Sequence, residues 1–422
     1  MVTVPVSPLG TILSRRASAL VAEALTDTRV VLINGARQCG KSTLAAQLAR
    51  SLGASWFTLD RAETRNAAFA DPTAFVRQSL PMVIDEIQRV PDLLLAIKER
   101  VDAEPRPGSY LLTGSARLLG MRTVPDSLPG RMETVELWPL SQGEIDSASD
   151  GFIDAAFANG DGLHHNSELA PADYLERLVR GGFPEAVARQ GKRRSAFHRQ
   201  YVADLVNRDV RQLSEIDKGR QMRELIQLVA ARNGQLLVPG NLANDLTISR
   251  PTVENYLALL EQVFLIKRIP AWSRNIDTRT IGTAKVAFVD SGVAASLLGE
   301  DAQSLTRPGG HLGGLLEGFV AMELARQATW SQQEVSLYHY RTRDKVEVDL
   351  VLQNLRGQVV GIEVKAGMTI RSDDFAGLRH LASRLGDDFV AGYVLNLGDQ
   401  SLPFGSKMRS LPVSAIWETA AA

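Results

Sequence analysis

Residues 29–43 read RVVLINGARQCGKST. The first six letters form a short β-branched apolar run, as in a buried parallel strand, and a glycine follows at once. Residues 44–50, LAAQLAR, have the composition and spacing of a helix. A strand, a glycine loop and a helix in this order predict a phosphate-binding P-loop. The alternative is an accidental glycine-rich turn, and the correct flanking elements argue against it.

The loop residues are predicted to bind ATP. Backbone N–H groups and the N-terminus of the following helix supply positive dipoles for the phosphates. Lys41 is expected to reach the β- and γ-phosphates, and Ser42 to bind Mg²⁺. The predicted ATP-binding residues are Gly35, Ala36, Arg37, Gln38, Cys39, Gly40, Lys41, Ser42 and Thr43.

A second apolar run, PMVI at 81–84, ends in Asp85 and Glu86. A parallel strand of this kind delivers its carboxylates beside the P-loop, because the C-terminal ends of such strands share one edge of the sheet. Asp85 is predicted to complete the Mg²⁺ shell, and Glu86 to orient or deprotonate the attacking water. The alternative is that both acids are solvated loop residues.

A third strand, YLLTG at 110–114, precedes Ser115. Ser115 suits a catalytic sensor that hydrogen-bonds the γ-phosphate or the water. A serine at a strand end is otherwise a common cap.

These motifs together resemble bacterial and archaeal AAA-type ATPases in which a compact P-loop domain precedes a C-terminal domain of unknown function. Further matching stretches are LTGSA at 112–116, GR at 130–131, ELWPLS at 136–141, GGFPE at 181–185, YVADLVNRD at 201–209 and FVDSG at 288–292. The resemblance implies an ASCE-type sheet with an extra strand, WFTL at 56–59. It also makes Arg131 a candidate arginine finger or trans-acting phosphate sensor, with Arg117 as its competitor. An isolated arginine after glycine is otherwise most often a surface charge.

Composition limits the function classes. The chain has 422 residues, 47 basic and 48 acidic side chains, and one cysteine, Cys39. This length favours two to four domains. A single cysteine excludes an intrachain disulfide and a zinc site made of thiolates alone. No apolar run approaches the roughly 20 residues of a membrane span, so no membrane association and a cytoplasmic location are expected.

The near-neutral net charge hides an uneven distribution. Residues 181–280 carry 16 basic and 10 acidic side chains, a difference of +6, whereas 141–180 carry 2 and 8, a difference of −6. The acidic stretch is rich in turn formers and is interpreted as a linker or surface insertion. The basic stretch includes residues 173–233, whose apolar spacing predicts a helical region.

Residues 242–260, LANDLTISRPTVENYLALL, have the spacing of a helix-turn-helix, with a turn around Thr247 and a second helix capped by Ser249. Residues 264–269, FLIKRI, then predict the first wing strand of a winged helix. The alternative is a winged helix that packs against protein and does not bind DNA. The residues predicted to contact DNA are Arg250, Thr252, Asn255, Lys267 and Arg268.

Two alternating runs near the C-terminus, VEVDLVL at 346–352 and VGIEVK at 360–365, predict a β-hairpin centred on Arg356. This register sets Asp349 across from Glu363, and Glu347 across from Lys365. Two carboxylates facing each other destabilise a sheet unless a cation neutralises them. A divalent cation would do so.

This pattern, Asp followed by Glu-x-Lys on the next strand, resembles the PD-(D/E)xK nuclease superfamily. The resemblance implies a restriction-endonuclease-like fold and a nuclease site made of Asp349, Glu363 and Lys365, with Glu317 as the additional acid. Val348 stands where the superfamily has proline. A degenerate domain that only binds DNA or protein would keep the same strands.

The predicted fold class is α/β: a P-loop NTPase (ASCE/AAA-type) parallel sheet, a helical and winged-helix region, and an α/β restriction-endonuclease-like domain. The predicted boundaries are 1–140 for the ATPase domain, 141–172 for the linker, 173–235 for the helical region, 236–285 for the winged helix and 286–422 for the nuclease-like domain.

The predicted function is Mg²⁺-dependent ATP hydrolysis coupled to a DNA or protein partner, with the catalytic residues Glu86, Lys41, Ser115 and Arg131. One alternative is an ATP-regulated nuclease with a second Mg²⁺ or Mn²⁺. Another is a non-catalytic, nucleotide-switched regulator or antitoxin-like adaptor. A homo-oligomer is a further expectation, because an arginine finger acts most naturally between subunits.

Overall fold

The protein is described here from a computed structural model that covers residues 12–114, 128–210, 219–274 and 282–421. The chain forms two compact units. The first is Met1–Leu140, Phe183–Ala188 and Gln262–Phe264, and the second is Ser141–Gly182, Arg189–Glu261 and Leu265–Ala422. Among the helices of the described segments, none has both the length and the apolar character needed to cross a bilayer.

The strands of the described segments belong to three sheets. They are β1 Val30–Gly35, β2 Ser55–Thr58, β3 Met82–Asp85, β4 Tyr110–Gly114, β5 Met132–Leu137, β6 Ile266–Ile269, β7 Lys285–Phe288, β8 Val335–Arg341, β9 Glu347–Asn354, β10 Val359–Lys365, β11 Phe389–Asn396, β12 Leu402–Pro403 and β13 Met408–Pro412.

The α-helices vary in length from one turn to five. They are α1 Ala17–Asp27, α2 Lys41–Leu52, α3 Ala62–Ala70, α4 Pro72–Val76, α5 Leu93–Ala103, α6 Gln142–Asp146, α7 Phe152–Asn159, α8 Pro171–Arg180, α9 Pro184–Val187, α10 Gly191–Asp204, α11 Gly219–Ala231, α12 Pro239–Leu246, α13 Arg250–Gln262, α14 Ser291–Leu298, α15 Leu312–Trp330, α16 Ala376–Leu385 and α17 Ala415–Glu418.

The first unit is built on a five-stranded parallel sheet in the order β2-β3-β4-β1-β5. All residues of β1, β3 and β4 are buried, which is why their sequences are almost continuously apolar. β4 lies between β1 and β3, and the extra strand expected at 56–59 is the edge strand β2. The predicted α/β class with a P-loop-type parallel sheet is therefore confirmed.

One face of this sheet is covered by α3, α4 and α5. Leu32, Ile84 and Leu112 from three adjacent strands share a hydrophobic cluster with Phe75 of α4 and Ile97 of α5. This packing fixes the strands, so the loops at their C-terminal ends have a rigid base.

Residues 141–172 differ from the linker that their acidic composition suggested. Ser141 caps α6 in a capping box with Glu144. Phe152 and Ile153 of α7 are buried, and the Phe152 ring lies 5.6 Å from that of Tyr393 in the same unit. The segment is packed through its few apolar residues, and its acid Asp150 is buried as well, where Oδ2 accepts from Ser141 Oγ at 2.7 Å.

The second unit contains residues 242–260, the stretch predicted to form a helix-turn-helix. α12 ends at Thr247, which adopts φ 54°, and α13 begins after Ser249, whose Oγ accepts a 3.2 Å hydrogen bond from the Thr252 N–H. The predicted turn and cap are thus both present. β6 then pairs with β7 in an antiparallel two-stranded ribbon.

The C-terminal part is a mixed six-stranded sheet in the order β12-β13-β11-β10-β9-β8. β10 is antiparallel to β9 and parallel to β11. Leu350 faces Ile362 and Val351 faces Gly361, which is the register predicted for a hairpin centred on Arg356.

Candidate functional site

The P-loop connects the C-terminal end of β1 to the start of α2. Gly40 adopts φ 101°, a conformation that favours glycine. A Cβ on Gly35 would lie 2.0 Å from the Leu137 carbonyl oxygen of β5, so β1 and β5 can approach each other only because this residue has no side chain.

Lys41 is buried at the first position of α2. Its Nζ donates to the carbonyl oxygens of Gly35 at 3.0 Å and Ala36 at 2.6 Å. The ammonium therefore lies inside the loop, and exchanging these two carbonyls for phosphate oxygens would move it only locally.

The outer side of the loop is held by Arg15 and Cys39. The Arg15 guanidinium donates to the carbonyl oxygens of Cys39 and Trp138, both at 2.7 Å. The Cys39 thiol is fully buried and donates to the Leu137 carbonyl at 3.3 Å. Cys39 is thus a small packing residue of the loop.

Asp85 accepts hydrogen bonds from three hydroxyl groups at the C-terminal edge of the sheet. Its Oδ1 accepts from Ser42 Oγ at 2.7 Å and Thr113 Oγ1 at 2.6 Å, and its Oδ2 accepts from Thr58 Oγ1 at 3.1 Å. The Asp85 carboxylate and the hydroxyl of Ser42, the second residue of α2, are hard oxygen donors of the kind that Mg²⁺ prefers. The residues present therefore fit a Mg²⁺ shell completed by water and phosphate oxygens.

Glu86 follows β3 in the left-handed region, at φ 62°. Its backbone N–H donates to Thr113 Oγ1 at 3.0 Å, and its Oε2 accepts from Gln88 Nε2 at 2.5 Å. Burial raises the pKa of the Glu86 carboxyl, and the positive charge of Lys41 partly offsets this. Strained backbone at such a position is typical of functional sites.

Thr58, Thr113, Gln88 and Arg15 are the site residues that the sequence interpretation missed. Thr58 and Thr113 are polar residues at or next to the ends of apolar strands. That position was the available signal, because parallel strands bring their C-terminal ends to one edge. Arg15 carried no comparable signal.

Arg131 does not lie near the P-loop of its own chain. It precedes β5, which pairs in parallel with β1 so that Met132 faces Val30 and Leu137 faces Gly35. The six-residue strand separates Arg131 from the loop by about 20 Å. Its guanidinium instead pairs with Asp102. Ser115 and Arg117 fall outside the residues that the structure describes.

The predicted C-terminal acids are brought together, with a residue that the sequence interpretation missed. Lys285, the first residue of β7, is buried, and its Nζ lies 2.6 Å from Glu317 Oε1 and 3.1 Å from Asp349 Oδ1. The other Asp349 oxygen accepts from the Val364 N–H at 3.0 Å. Lys365 donates to Glu363 at 3.3 Å.

The protonation of this cluster follows from its burial. Burial and the charge of Asp349 raise the pKa of Glu363 to about 9 and that of Glu317 to about 8. Despite burial, the Lys285 ammonium lowers the pKa of Asp349. Three carboxyl groups thus share two lysines, and at neutral pH burial favours the protonated form of both Glu317 and Glu363.

The donor set does not fit the divalent cation that the facing acids suggested. The cation between Glu317 and Asp349 is the Lys285 ammonium. Among the described residues, no group of three or more His, Cys, Asp and Glu side chains is arranged to hold a metal ion. The predicted pairing of Glu347 with Lys365 is also replaced, because Glu347 pairs with Arg341.

The predicted DNA contacts lie on α13 and β6. Asn255 is exposed and Lys267 is half-buried. Arg250 is 69% exposed but pairs with Glu254 at 2.8 Å, and Arg268 pairs with Glu261 at 2.6 Å. Both arginines therefore form ion pairs with acids of their own unit. The segment charge of +6 did not indicate these pairs.

Comparison with known proteins divides the chain into three matches. Residues 27–146 match a family described as an AAA domain. Residues 171–304 and 312–416 match two domains of unknown function, DUF8612 and DUF4143. A solved structure, the Walker-type ATPase PABY2304 of Pyrococcus abyssi, is similar with a TM-score of 0.42 and 15% identity, covering 70% of this chain and 98% of that chain.

Two mycobacterial proteins are similar over nearly the whole length. The uncharacterized proteins Mb2031c of Mycobacterium bovis and Rv2008c of Mycobacterium tuberculosis are each 30% identical over 411 residues, covering 96% of this chain and 85% of each relative. The protein therefore belongs to the same family as these two mycobacterial proteins, and it combines an AAA-type P-loop domain with a C-terminal DUF4143 domain.

Proposed function

We propose that the protein binds and hydrolyses ATP with Mg²⁺ at the P-loop, and that its nucleotide state controls contact with a nucleic acid or protein partner. The observation that carries the proposal is the continuous hydrogen-bonded chain from Ser42 through Asp85 and Thr113 to Glu86. It links the residue at the start of α2 to the residue proposed as the base.

Each residue has a distinct part in the proposed mechanism. The loop N–H groups and Lys41 bind the phosphates, with Lys41 exchanging its two carbonyl partners for phosphate oxygens. Ser42 and Asp85 would hold Mg²⁺, which neutralises phosphate charge when bound. Glu86 orients the attacking water and accepts its proton, and burial makes this carboxylate a better base at neutral pH.

Thr113 and Gln88 position Glu86 in this proposal. Thr113 ties the Glu86 backbone to Asp85, so the two acids move together. Gln88 holds the carboxylate through its side-chain amide. Arg131 remains a proposed finger only for the P-loop of a second copy, because its own loop lies at the opposite end of β5.

The test is ATP turnover and nucleotide binding by the full chain. Glu86→Gln is expected to bind Mg·ATP normally and to hydrolyse it at least about 100-fold more slowly, because only proton transfer is lost. Lys41→Ala is expected to lose Mg²⁺-dependent binding. Glu99→Gln, at an exposed position of α5, is the control and should match the wild type.

Undiminished phosphate release by Glu86→Gln would remove that residue from its role. A wild-type protein that binds ADP tightly and shows no turnover would instead favour the nucleotide-switched regulator. Unchanged nucleotide affinity in Lys41→Ala would contradict the P-loop assignment itself.

For the partner, we propose DNA as the first candidate. The support is α12, the turn at Thr247, α13 and the following β6–β7 ribbon, which is the element order of a winged helix. Exposed Asn255 would face the groove. We assign no cleavage step to Asp349, Glu363 and Lys365, because Lys285 takes up the oxygens that a metal-dependent mechanism would use.

A further inference from the structure

Glu317, Asp349 and Glu363 form the C-terminal acid cluster. We infer that the Lys285 ammonium is the cation that neutralises this cluster, and that it replaces the divalent metal ion implied by the Asp and Glu-x-Lys pattern. The hydrogen bonds of Lys285 connect β7 to α15 and β9. In this inference the cluster is structural and does not bind Mg²⁺ or Mn²⁺. It is independent of the proposed ATPase activity.

The position of the ammonium carries the inference. Lys285 is 5% exposed, and its Nζ contacts carboxylates from a helix and from a strand, Glu317 of α15 and Asp349 of β9. A divalent ion would have to bind these same oxygens at about 2.0–2.6 Å. An ammonium group already within hydrogen-bond distance of both oxygens repels such an ion and takes its place.

Two further oxygens of the cluster also accept from protein donors. Asp349 Oδ2 accepts from the Val364 N–H, and Glu363 Oε2 accepts from Lys365. Coordination of a metal ion would therefore break several hydrogen bonds at once. In a buried site, each broken bond leaves a polar group without a partner.

Lys285 is held in the cluster by its burial, with 5% of the residue exposed, and its backbone is fixed on both sides. It faces Ile269 in the β6–β7 ribbon and forms an isolated bridge with Leu236 on the other side. Glu317 is confined as well, since a Cβ on Gly234 would lie only 3.1 Å from its Cβ. The ammonium is therefore part of the folded core of this region.

The test measures Mn²⁺ binding to the nucleotide-free full chain by electron paramagnetic resonance of the free ion, together with thermal unfolding. The wild type and Asp349→Asn should bind Mn²⁺ identically, because the cluster contributes no site. Lys285→Met should gain one Mn²⁺ site. Its affinity should be at least about tenfold above that of any Mn²⁺ binding by the wild type. The variant should also gain thermal stabilisation by Mn²⁺.

Two further variants make the result specific. Asp349→Asn added to Lys285→Met should abolish the gained site. Lys192→Met, at an exposed position of α10, removes a lysine without opening the cluster and should leave Mn²⁺ binding unchanged.

A wild-type Mn²⁺ site that is lost in Asp349→Asn would overturn the inference, and this comparison stands even if Lys285→Met fails to fold. A folded Lys285→Met variant that gains no Mn²⁺ site would overturn it as well. Neither outcome depends on ATP turnover, so failure here is distinct from failure of the proposed function.

Discussion

Gly35 shows how a single residue without a side chain positions the candidate nucleotide site. It ends β1, and an added Cβ would meet the backbone oxygen of Leu137 at 2.0 Å. Backbone atoms cannot rotate away as a flexible side chain can. The P-loop therefore starts at a close approach of two parallel strands.

We predict that Gly35→Ala lowers the free energy of unfolding by about 2–3 kcal/mol and weakens nucleotide binding, because β1 and β5 must separate. Gly114→Ala is the matched control in the neighbouring strand, since its added Cβ would meet no atom closer than 3.5 Å. Urea unfolding and ATP titration of both variants measure the difference. Equal stability of the two variants would contradict the close-approach explanation.

At the residue scale, the sequence predicted most of the residues that meet at the candidate nucleotide site, but not the lysine at the centre of the C-terminal cluster. Asp85 and Glu86 are recognisable because the strand that positions them immediately precedes them in the chain. Lys285 meets partners 32 and 64 residues away. A long-range contact of this kind leaves no local spacing, so the facing acids suggested a metal ion instead.

At the scale of elements, α13 is the part most directly connected to the proposed DNA contact. Its exposed Arg250 is paired with Glu254 one turn later, at 2.8 Å. Such an exposed pair contributes little to stability. It does, however, cancel the charge that a phosphate would attract, so the acid limits the affinity of this helix for DNA.

We therefore predict that Glu254→Gln raises the affinity for double-stranded DNA about two- to fivefold and steepens its salt dependence, by releasing Arg250. The matched control is Glu224→Gln on α11, which breaks another i,i+4 pair, with Arg220. Fluorescence anisotropy at several salt concentrations measures both. An equal gain in the two variants would indicate only a general effect of net charge.

The elements themselves were predicted where short-range patterns define them. The hairpin register around Arg356 and the Ser249 cap follow from alternation and from capping chemistry within a few residues. Residues 141–172 were misjudged, because Phe152 is buried against the distant Tyr393 rather than against a neighbour in sequence. The acidic composition of residues 141–172 therefore gave no sign that the segment is packed.

At the scale of the whole molecule, the two units respond to different conditions. The first unit contains the candidate nucleotide site, so a nucleotide that binds only the folded state would stabilise it. The second unit contains His339, which is buried on β8. Its Nε2 donates to the Thr283 carbonyl at 2.9 Å, and no hydrogen-bond partner is present for its buried Nδ1 among the described residues.

His339 should make the second unit sensitive to acid. Burial lowers the pKa of this imidazole to about 4 from 6.5, and the charges of Lys285 and Arg341 act in the same direction while Asp349 opposes them. Between these values the unfolded chain takes up a proton that the folded chain excludes, so stability falls as the pH falls from about 6.5 to about 4. The shift corresponds to a loss of roughly 3 kcal/mol.

We predict that His339→Phe reduces this acid-induced loss while costing about 1 kcal/mol at pH 7 for the missing hydrogen bond. Urea unfolding at pH 7, 5.5 and 4.5, followed by hydrogen exchange in β8, measures the effect. His164→Phe, at an exposed position, should keep the wild-type pH profile. An identical acid dependence of His339→Phe and the wild type would show that other groups dominate the titration.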